Sequence, residues 1–174
     1  MAMGQTVLLA DADVLIDYRE SELDILKLVV QHIGRVVVLA PVLDEVQGVT
    51  PRQCKQLGIE VVEVTTEQLV QASEGESRVS FNDYLCLIAC RDEGWTCVTN
   101  DGTLQRLCQR HGVATRFGLG LMVDLVAVGV LTQRRALAIA RQIQASNPIY
   151  INERVITRFR SALVAIIPRG GAGA

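Results

Sequence analysis

VLLADADVLIDY, residues 7–18, places four consecutive apolar residues directly before an acidic pair, Asp11 and Asp13. A run that is apolar at every position is typical of a strand buried on both faces of a parallel sheet. Acids at the end of such a strand indicate a partner or a bound ligand, because a carboxylate is costly to bury without one. We therefore predict a first strand at residues 6–10 that delivers Asp11 to the carboxyl edge of a sheet.

The chain continues as an alternation of short apolar runs and helical patterns. Leu23, Leu26, Val30 and Ile33 recur at three- and four-residue steps, which indicates an amphipathic helix that ends at Gly34. Further strands are predicted at residues 35–40, 59–64, 96–99 and 113–117. Further helices are predicted at residues 41–46, 66–72, 81–93, 101–111, 119–128, 132–145 and 152–164.

This alternation predicts an α/β fold, because parallel strands need crossover connections and helices usually provide them. We expect a three-layer α/β/α arrangement with a central parallel sheet of four to five strands. A chain of 174 residues suits one domain, which we place at residues 1–167 and follow with a flexible tail at 168–174. Ligands of such open sheets bind beyond the carboxyl ends of the strands.

Composition limits the classes of function. The net charge is −2 and aromatic residues make up 4% of the chain, which disfavours a polybasic nucleic-acid binder and a base-stacking platform. The five cysteines form no CxxC pair and are interpreted as small core residues with reduced thiols, which suits a cytoplasmic protein. The start lacks a basic signal-peptide region, and the apolar stretch at 119–131 is shorter than the ~20 residues that cross a bilayer. No membrane association is expected.

Acidic side chains follow several predicted elements at one edge of the sheet. Asp11 and Asp13 follow the first strand, Asp101 follows the fourth, Glu45 lies on the short helix after the second, and Asp83 lies in the first turn of a later helix. Close carboxylates repel one another, and a divalent cation relieves the repulsion. Mg²⁺ or Mn²⁺ prefers such oxygen ligands together with substrate phosphate, so the pattern points to phosphoryl transfer.

Simpler roles are open for most of these acids. Asp83 follows Ser80 at the spacing of a helix-capping pair, and Asp101 lies in an Asn-Asp-Gly sequence that suits a turn or a cap. Glu45 could be a solvated helix residue. Asp17 is predicted to face solvent near the start of a helix.

Several common enzyme motifs are missing from the sequence. There is no GxxxxGK[ST] phosphate loop, no GxGxxG fingerprint and no GxSxG elbow, which disfavours nucleotide kinases, dehydrogenases and α/β-hydrolases. His32 and His111 are predicted at helix C-termini, where a cationic imidazole is mildly favoured. Neither has the partners of a catalytic histidine.

Four segments carry a family resemblance: VLLADADVLIDY (7–18), APVLDEV (40–46), SFNDYLCLIAC (80–90) and CVTNDGTLQRLCQRHGV (97–113). Their order and spacing resemble those of the PIN-domain family, in particular its small prokaryotic ribonucleases. The segment GLGLMVDLVAVGVLTQRRALAIARQI (118–143) is similar to the helical continuation of bacterial and archaeal members.

The resemblance implies a ribonuclease that uses Mg²⁺ or Mn²⁺ and leaves a 5′-phosphate. By position it assigns the catalytic and metal-binding roles to Asp11, Glu45, Asp83 and Asp101. Supporting roles fall on Ser80, Thr99, Asn100 and on Asp13, which stands where the family commonly has Asn or Ser. Many small members are homodimeric toxins restrained by an antitoxin protein, which implies RNA, an antitoxin and a second copy as partners. Candidates for RNA phosphate contacts are Arg106, Arg110, Arg134, Arg135 and Arg141.

Two alternatives remain open. A haloacid dehalogenase-type phosphatase shares the DxD arrangement of Asp11 and Asp13, but it also needs a lysine late in the fold, and the last lysine here is Lys55. A catalytically inactive PIN-like module that binds RNA or protein is the second alternative. The acidic residue at each of the family's four positions counts against it.

Overall fold

A computed structural model describes residues 5–75 and 78–166 as an α/β fold around an all-parallel sheet of five strands. The strands are β1 (Val7–Ala10), β2 (Arg35–Leu39), β3 (Glu60–Val62), β4 (Thr96–Val98) and β5 (Thr115–Arg116). The helices are α1 (Ala12–Glu20), α2 (Asp24–His32), α3 (Ala40–Glu45), α4 (Pro51–Leu57), α5 (Thr66–Ser73), α6 (Phe81–Glu93), α7 (Gly102–Arg110), α8 (Gly120–Ala127), α9 (Gln133–Ser146) and α10 (Glu153–Val164).

The sheet has the strand order β3-β2-β1-β4-β5. The chain moves outward from β1 through β2 to β3, then returns to pair β4 with the other side of β1. Crossovers between parallel strands are right-handed. The helices that precede β3 and the helices that follow it therefore lie on opposite faces of the sheet. Accordingly α2 packs on α1 and α4, whereas α6 packs on α5 and α7. The predicted three-layer α/β/α arrangement with a parallel sheet is confirmed.

The two central strands explain the apolar runs in the sequence. Leu8, Leu9 and Ala10 of β1 are buried, and Val36 to Leu39 of β2 are buried as well. The register pairs Leu8 with Val36 on one side and with Thr96 on the other. Since β1 is covered on both faces and both edges, every position of the strand is apolar.

The helix predicted from Leu23, Leu26, Val30 and Ile33 is confirmed as α2, whereas the preceding helix α1 was not predicted. Ser21 ends α1, because its backbone N–H donates to the Tyr18 carbonyl at 3.3 Å and its hydroxyl donates to the Asp17 carbonyl at 2.8 Å. Residues 19–22 are Arg-Glu-Ser-Glu, so the apolar pattern is interrupted at this break and the sequence does contain a signal for it.

Helix α4 was not predicted, although the sequence contains its signal. Thr50 and Gln53 form a capping box around Pro51, which stands at the start of the helix. A Thr-Pro-x-Gln sequence is a recognisable helix start. The strands β3 and β5 are also shorter than predicted, while the bounds of α6 agree with the prediction.

Position 34 requires glycine for a different reason from the helix-ending role that the sequence suggested. Its N–H donates to the Val29 carbonyl at 3.1 Å, as expected beyond a helix end, but its φ is not positive. A Cβ at this position would lie 2.4 Å from the Thr6 carbonyl oxygen, which also accepts from Arg35 N at 3.0 Å. Glycine is therefore required because the backbones at the start of β1 and β2 approach closely.

The remaining predictions concern the cysteines, the two histidines, membrane-spanning helices and the tail. All five cysteines are free and buried, as predicted for core residues. His32 ends α2 and His111 caps the end of α7. In the part of the chain that the structure describes, no helix combines the length and apolar character needed to cross a bilayer. The proposed tail at 168–174 lies outside the described residues.

Candidate active site

The strand order creates a switch point between β1 and β4. Asp11 follows β1, and Asp101 follows β4 as the N-cap of α7. The two strand ends are tied together, because Asp11 N donates to the Val98 carbonyl at 3.1 Å. A crevice at such a switch point is the usual ligand site of an open α/β sheet. The two acids therefore flank the position where a ligand is expected.

Asp11 is the most buried acid of the group, with 2% of its surface exposed. It caps α1, and its Oδ1 accepts from Val14 N at 2.9 Å. The pKa of Asp11 is raised to about 8, chiefly by burial and also by the charges of Asp13 and Asp83, against the opposing hydrogen bonds from Thr99 and Val14. Desolvation of this kind favours the neutral carboxyl group unless a cation compensates.

Thr99 connects the two acids at the switch point. Its fully buried hydroxyl donates to the Asp11 carboxylate and accepts from Asp101 N at 3.0 Å. The Thr99 carbonyl accepts from Gln105 Nε2 at 2.9 Å, which holds the strand end against α7. Asp101 itself accepts from Thr103 N at 2.7 Å, so it does cap its helix. Thr99 thus fixes Asp11 and Asp101 relative to each other.

Asp83 occupies the first turn of α6. It forms the predicted capping box with Ser80, in which Asp83 N donates to Ser80 Oγ at 3.1 Å and Ser80 N donates to Asp83 Oδ2 at 3.2 Å. Burial raises the pKa of Asp83, and the charges of Asp101 and Glu45 add to the effect while the bonds from Ser80 oppose it. Capping and membership of the acidic group are therefore compatible roles for Asp83.

Asn82 was not predicted as a site residue. Its side chain is buried, and its Nδ2 donates to the Pro41 carbonyl at 3.2 Å. This bond ties the start of α6 to α3, the helix that ends at Glu45. The Asn82 Oδ1 is buried without a partner in the described residues. The contact spans 41 residues, so no local pattern could reveal it.

Asp13 and Glu45 complete the group. Asp13 is half-buried, and its pKa is raised by burial first and then by the charges of Asp83, Asp101 and Glu45. Glu45 is exposed at the end of α3. The structure therefore brings together all of the acids that the sequence proposed. Within residues 5–75 and 78–166, no ion pair joins any of them to an arginine or lysine.

This donor set suits a hard divalent cation, which prefers carboxylate oxygens. In the described residues, no three His, Cys, Asp or Glu side chains are arranged to hold one ion as they stand. Asp11, Asp83 and Asp101 each have an oxygen bonded to a backbone N–H at a helix start. The charge and chemistry of the group fit a cation.

The prediction that Asp17 faces solvent is wrong. Asp17 is 2% exposed, and its two carboxylate oxygens accept from Asn100 Nδ2 at 2.8 Å and Asn147 Nδ2 at 2.9 Å. Asn100 Oδ1 accepts from Gly118 N at 2.9 Å. The predicted supporting residue Asn100 thus joins the end of β4 to α1 through Asp17, and within the described residues its hydrogen bonds do not go to the acidic group at the switch point. Asp17 is therefore a structural residue, held by partners that are far from it along the chain.

We expect Asp17→Ala to lower the free energy of unfolding by about 2–4 kcal/mol, because two amide donors would lose their acceptor in a buried setting. Urea denaturation measures the change. Glu20→Ala, an exposed residue of the same helix, is the control and should change stability by less than about 1 kcal/mol. Equal midpoints for the two variants would contradict the structural role assigned to Asp17.

The predicted RNA-binding arginines fall into two places. Arg106 and Arg110 lie on α7, the helix that Asp101 caps. Arg135 on α9 pairs with Glu22, which lies beyond the far end of α1, and Arg141 pairs with Glu153. Because α1 has nine residues, Glu22 lies roughly 14 Å along the helix from the acids. The structure places Arg106 over the first turn of α7, next to Asp101, whereas Arg110 at the far end of α7 and Arg134 at the start of α9 lie further from the acidic group.

No protein-family model, curated protein sequence or solved structure matches this chain.

Proposed function

We propose that this chain is a metal-dependent endoribonuclease of the PIN-domain type, which hydrolyses RNA phosphodiesters with Mg²⁺ or Mn²⁺. The observation that carries the proposal is the acidic group at the β1–β4 switch point. Asp11, Glu45, Asp83 and Asp101 come from four separate segments, and no ion pair neutralises them in the described part of the chain. Such a group favours a bound cation over isolated charges.

Asp11 and Asp101 would be the principal metal ligands, because they flank the switch point. Glu45 and Asp83 would complete the ligand set or orient the water that attacks the phosphodiester. A divalent cation in this place supplies charge stabilisation for the phosphoryl oxygens and a lowered pKa for water. Thr99 holds the Asp11 carboxylate by a hydrogen bond, and Ser80 holds Asp83 in the same way. Asp13 adds negative charge at the same edge.

The biological setting rests on the resemblance of the four segments to PIN-domain ribonucleases. On that basis the chain is the toxin of a toxin-antitoxin pair in the cytoplasm, acts as a homodimer and is restrained by an antitoxin protein. Exposed apolar residues, among them Ile149 at 81% and Val164 at 73%, provide surface for such contacts. Co-purification from the native host would identify the antitoxin.

Cleavage of RNA by the purified protein tests the proposal. We expect degradation of a mixed RNA in Mn²⁺, no degradation in EDTA, and products that carry a 5′-phosphate. A phosphate monoester incubated in parallel separates the phosphatase alternative. Turnover of the monoester alone would overturn the nuclease proposal, and RNA binding without cleavage in any divalent ion would favour the inactive binding module.

A further inference from the structure

A cleft of about 850 Å³ opens beside the acidic group, between the segment that leads into α6 and the exposed side of α7. Its lining residues are Arg78, Val79, Thr103, Arg106, Leu107, Gln109 and Arg110. Val79 directly precedes Ser80, which caps the helix of Asp83, and Thr103 N is the donor to Asp101. The cleft therefore begins where two of the acids lie.

The charged side chains that the structure describes in the cleft are arginines, opposite in charge to the acidic group. Arg78 and Arg106 are exposed on its two walls. A polyanion approaching five carboxylates on a protein of net charge −2 is repelled unless positive charge lies next to the site. Arginine suits this purpose, because its planar guanidinium group matches the geometry of a phosphate. This juxtaposition of arginines and carboxylates defines a path for a phosphate chain.

Local contacts hold Arg106 near the acidic end of the cleft. Its Nη2 donates to Thr103 Oγ1 at 3.2 Å. A Cβ on Gly102, the first residue of α7, would lie 3.4 Å from Arg106 Nη1, so the guanidinium group lies over the first turn of the helix. Arg106 is thus held one helical turn away from Asp101. That position suits a contact with a phosphate adjacent to the one at the acids.

We propose that this cleft holds the sugar–phosphate backbone of the RNA strand next to the scissile phosphate, with Arg78 and Arg106 as phosphate contacts. The inference rests on the proposed nuclease function and specifies its substrate path. The cleft residues that the structure describes include no aromatic side chain, so bases do not stack there. Val79 and Leu107 offer only an apolar floor. Recognition through this cleft is therefore directed at the backbone.

Binding measured without catalysis tests the cleft. The full chain in EDTA is titrated against a fluorescently labelled, unstructured oligouridylate, and anisotropy reports the Kd. We expect Arg106→Gln and Arg78→Gln each to raise the Kd by about fivefold or more. Each should also reduce the salt dependence of log K by about 0.7, the contribution of one phosphate contact to a single strand.

Arg52→Gln is the matched control, because Arg52 is an exposed arginine on α4, a helix that packs on α2 rather than on α6 or α7, and it is not among the predicted RNA contacts. Its Kd should stay within about twofold of wild type. Equal loss of binding in all three variants, or no loss in Arg106→Gln and Arg78→Gln, would overturn the cleft assignment. Thermal melting of each variant confirms that the fold is intact.

The experiments distinguish failure of the cleft assignment from failure of the nuclease proposal. If the wild type cleaves RNA in Mn²⁺ while both cleft variants bind and cleave as the wild type does, the cleft assignment is wrong and the nuclease remains. If the wild type binds the oligouridylate through Arg78 and Arg106 but cleaves nothing in Mn²⁺, the cleft is supported as an RNA-binding surface and the nuclease proposal is lost.

Discussion

Asp101→Asn should lower the rate of Mn²⁺-dependent RNA cleavage by about 10²–10³-fold while leaving the fold unchanged. Asparagine keeps an oxygen that can accept from Thr103 N, so the cap of α7 survives the change. The negative charge is lost, and with it one of the two principal ligands expected for the cation. The initial rate of cleavage of a labelled RNA in Mn²⁺ measures the effect.

Asp24→Asn is the control for this experiment. Asp24 is an exposed aspartate in the first turn of α2, which also has nine residues, so the chemical change and the type of position are matched. It should cleave RNA at the wild-type rate. If Asp101→Asn cleaves as fast as Asp24→Asn, the activity comes from a contaminating nuclease or from a site elsewhere on the chain.

The sheet could be predicted because β1 is apolar at every position and β2 is apolar at every position after Arg35. Leu8 to Ala10 and Val36 to Leu39 are buried, and a short continuous apolar run of this kind is consistent with a strand covered on both faces. The predicted bounds of the edge strands were less exact. Only Thr115 and Arg116 pair in β5, and the ends of such strands depend on how far the neighbouring strand extends, which no local pattern records.

The acids could be located from the sequence because Asp11 and Asp101 directly follow apolar strand patterns, while Glu45 and Asp83 lie on recognisable helix patterns. The strand order was not predicted, and it determines that Asp11 and Asp101 flank one crevice. That order depends on the pairing of Leu9 with Cys97, two residues far apart along the chain. The sequence therefore predicted which acids gather at this edge of the sheet, whereas their arrangement required the fold.

Asp17 and Asn82 show where local interpretation fails. The sequence suggested an aspartate near a helix start that faces solvent, but Asp17 lies inside α1, where Asn100 and Asn147 supply donors across 83 and 130 residues. Asn82 was overlooked because its partner is a backbone carbonyl of a different helix. A buried polar residue is stabilised by whatever group the fold brings to it, and its own neighbours in sequence do not identify that group.

Asp11→Asn should stabilise the metal-free protein at alkaline pH and leave its stability near pH 4 almost unchanged. The pKa of Asp11 rises from 3.8 to about 8 on folding, chiefly because the group is buried. Between these values the unfolded chain loses the proton while the folded protein retains it, so wild-type stability falls as pH rises and levels off above about pH 8. At 1.36 kcal/mol for each unit of pKa, the loss from this group reaches about 6 kcal/mol at most.

Urea denaturation of both proteins in EDTA, from pH 4 to pH 9, measures this difference. The amide introduced by Asp11→Asn would keep an acceptor for Val14 N and could donate to the Thr99 hydroxyl, so the substitution removes the charge at little structural cost. Asp24→Asn again serves as the control and should follow the wild-type pH dependence. Mn²⁺ at about a hundred times its Kd should restore about 2.7 kcal/mol to the wild type and little to Asp11→Asn. Parallel stability curves for wild type and Asp11→Asn, with the same response to Mn²⁺, would mean that Asp11 carries no buried charge for a cation to neutralise.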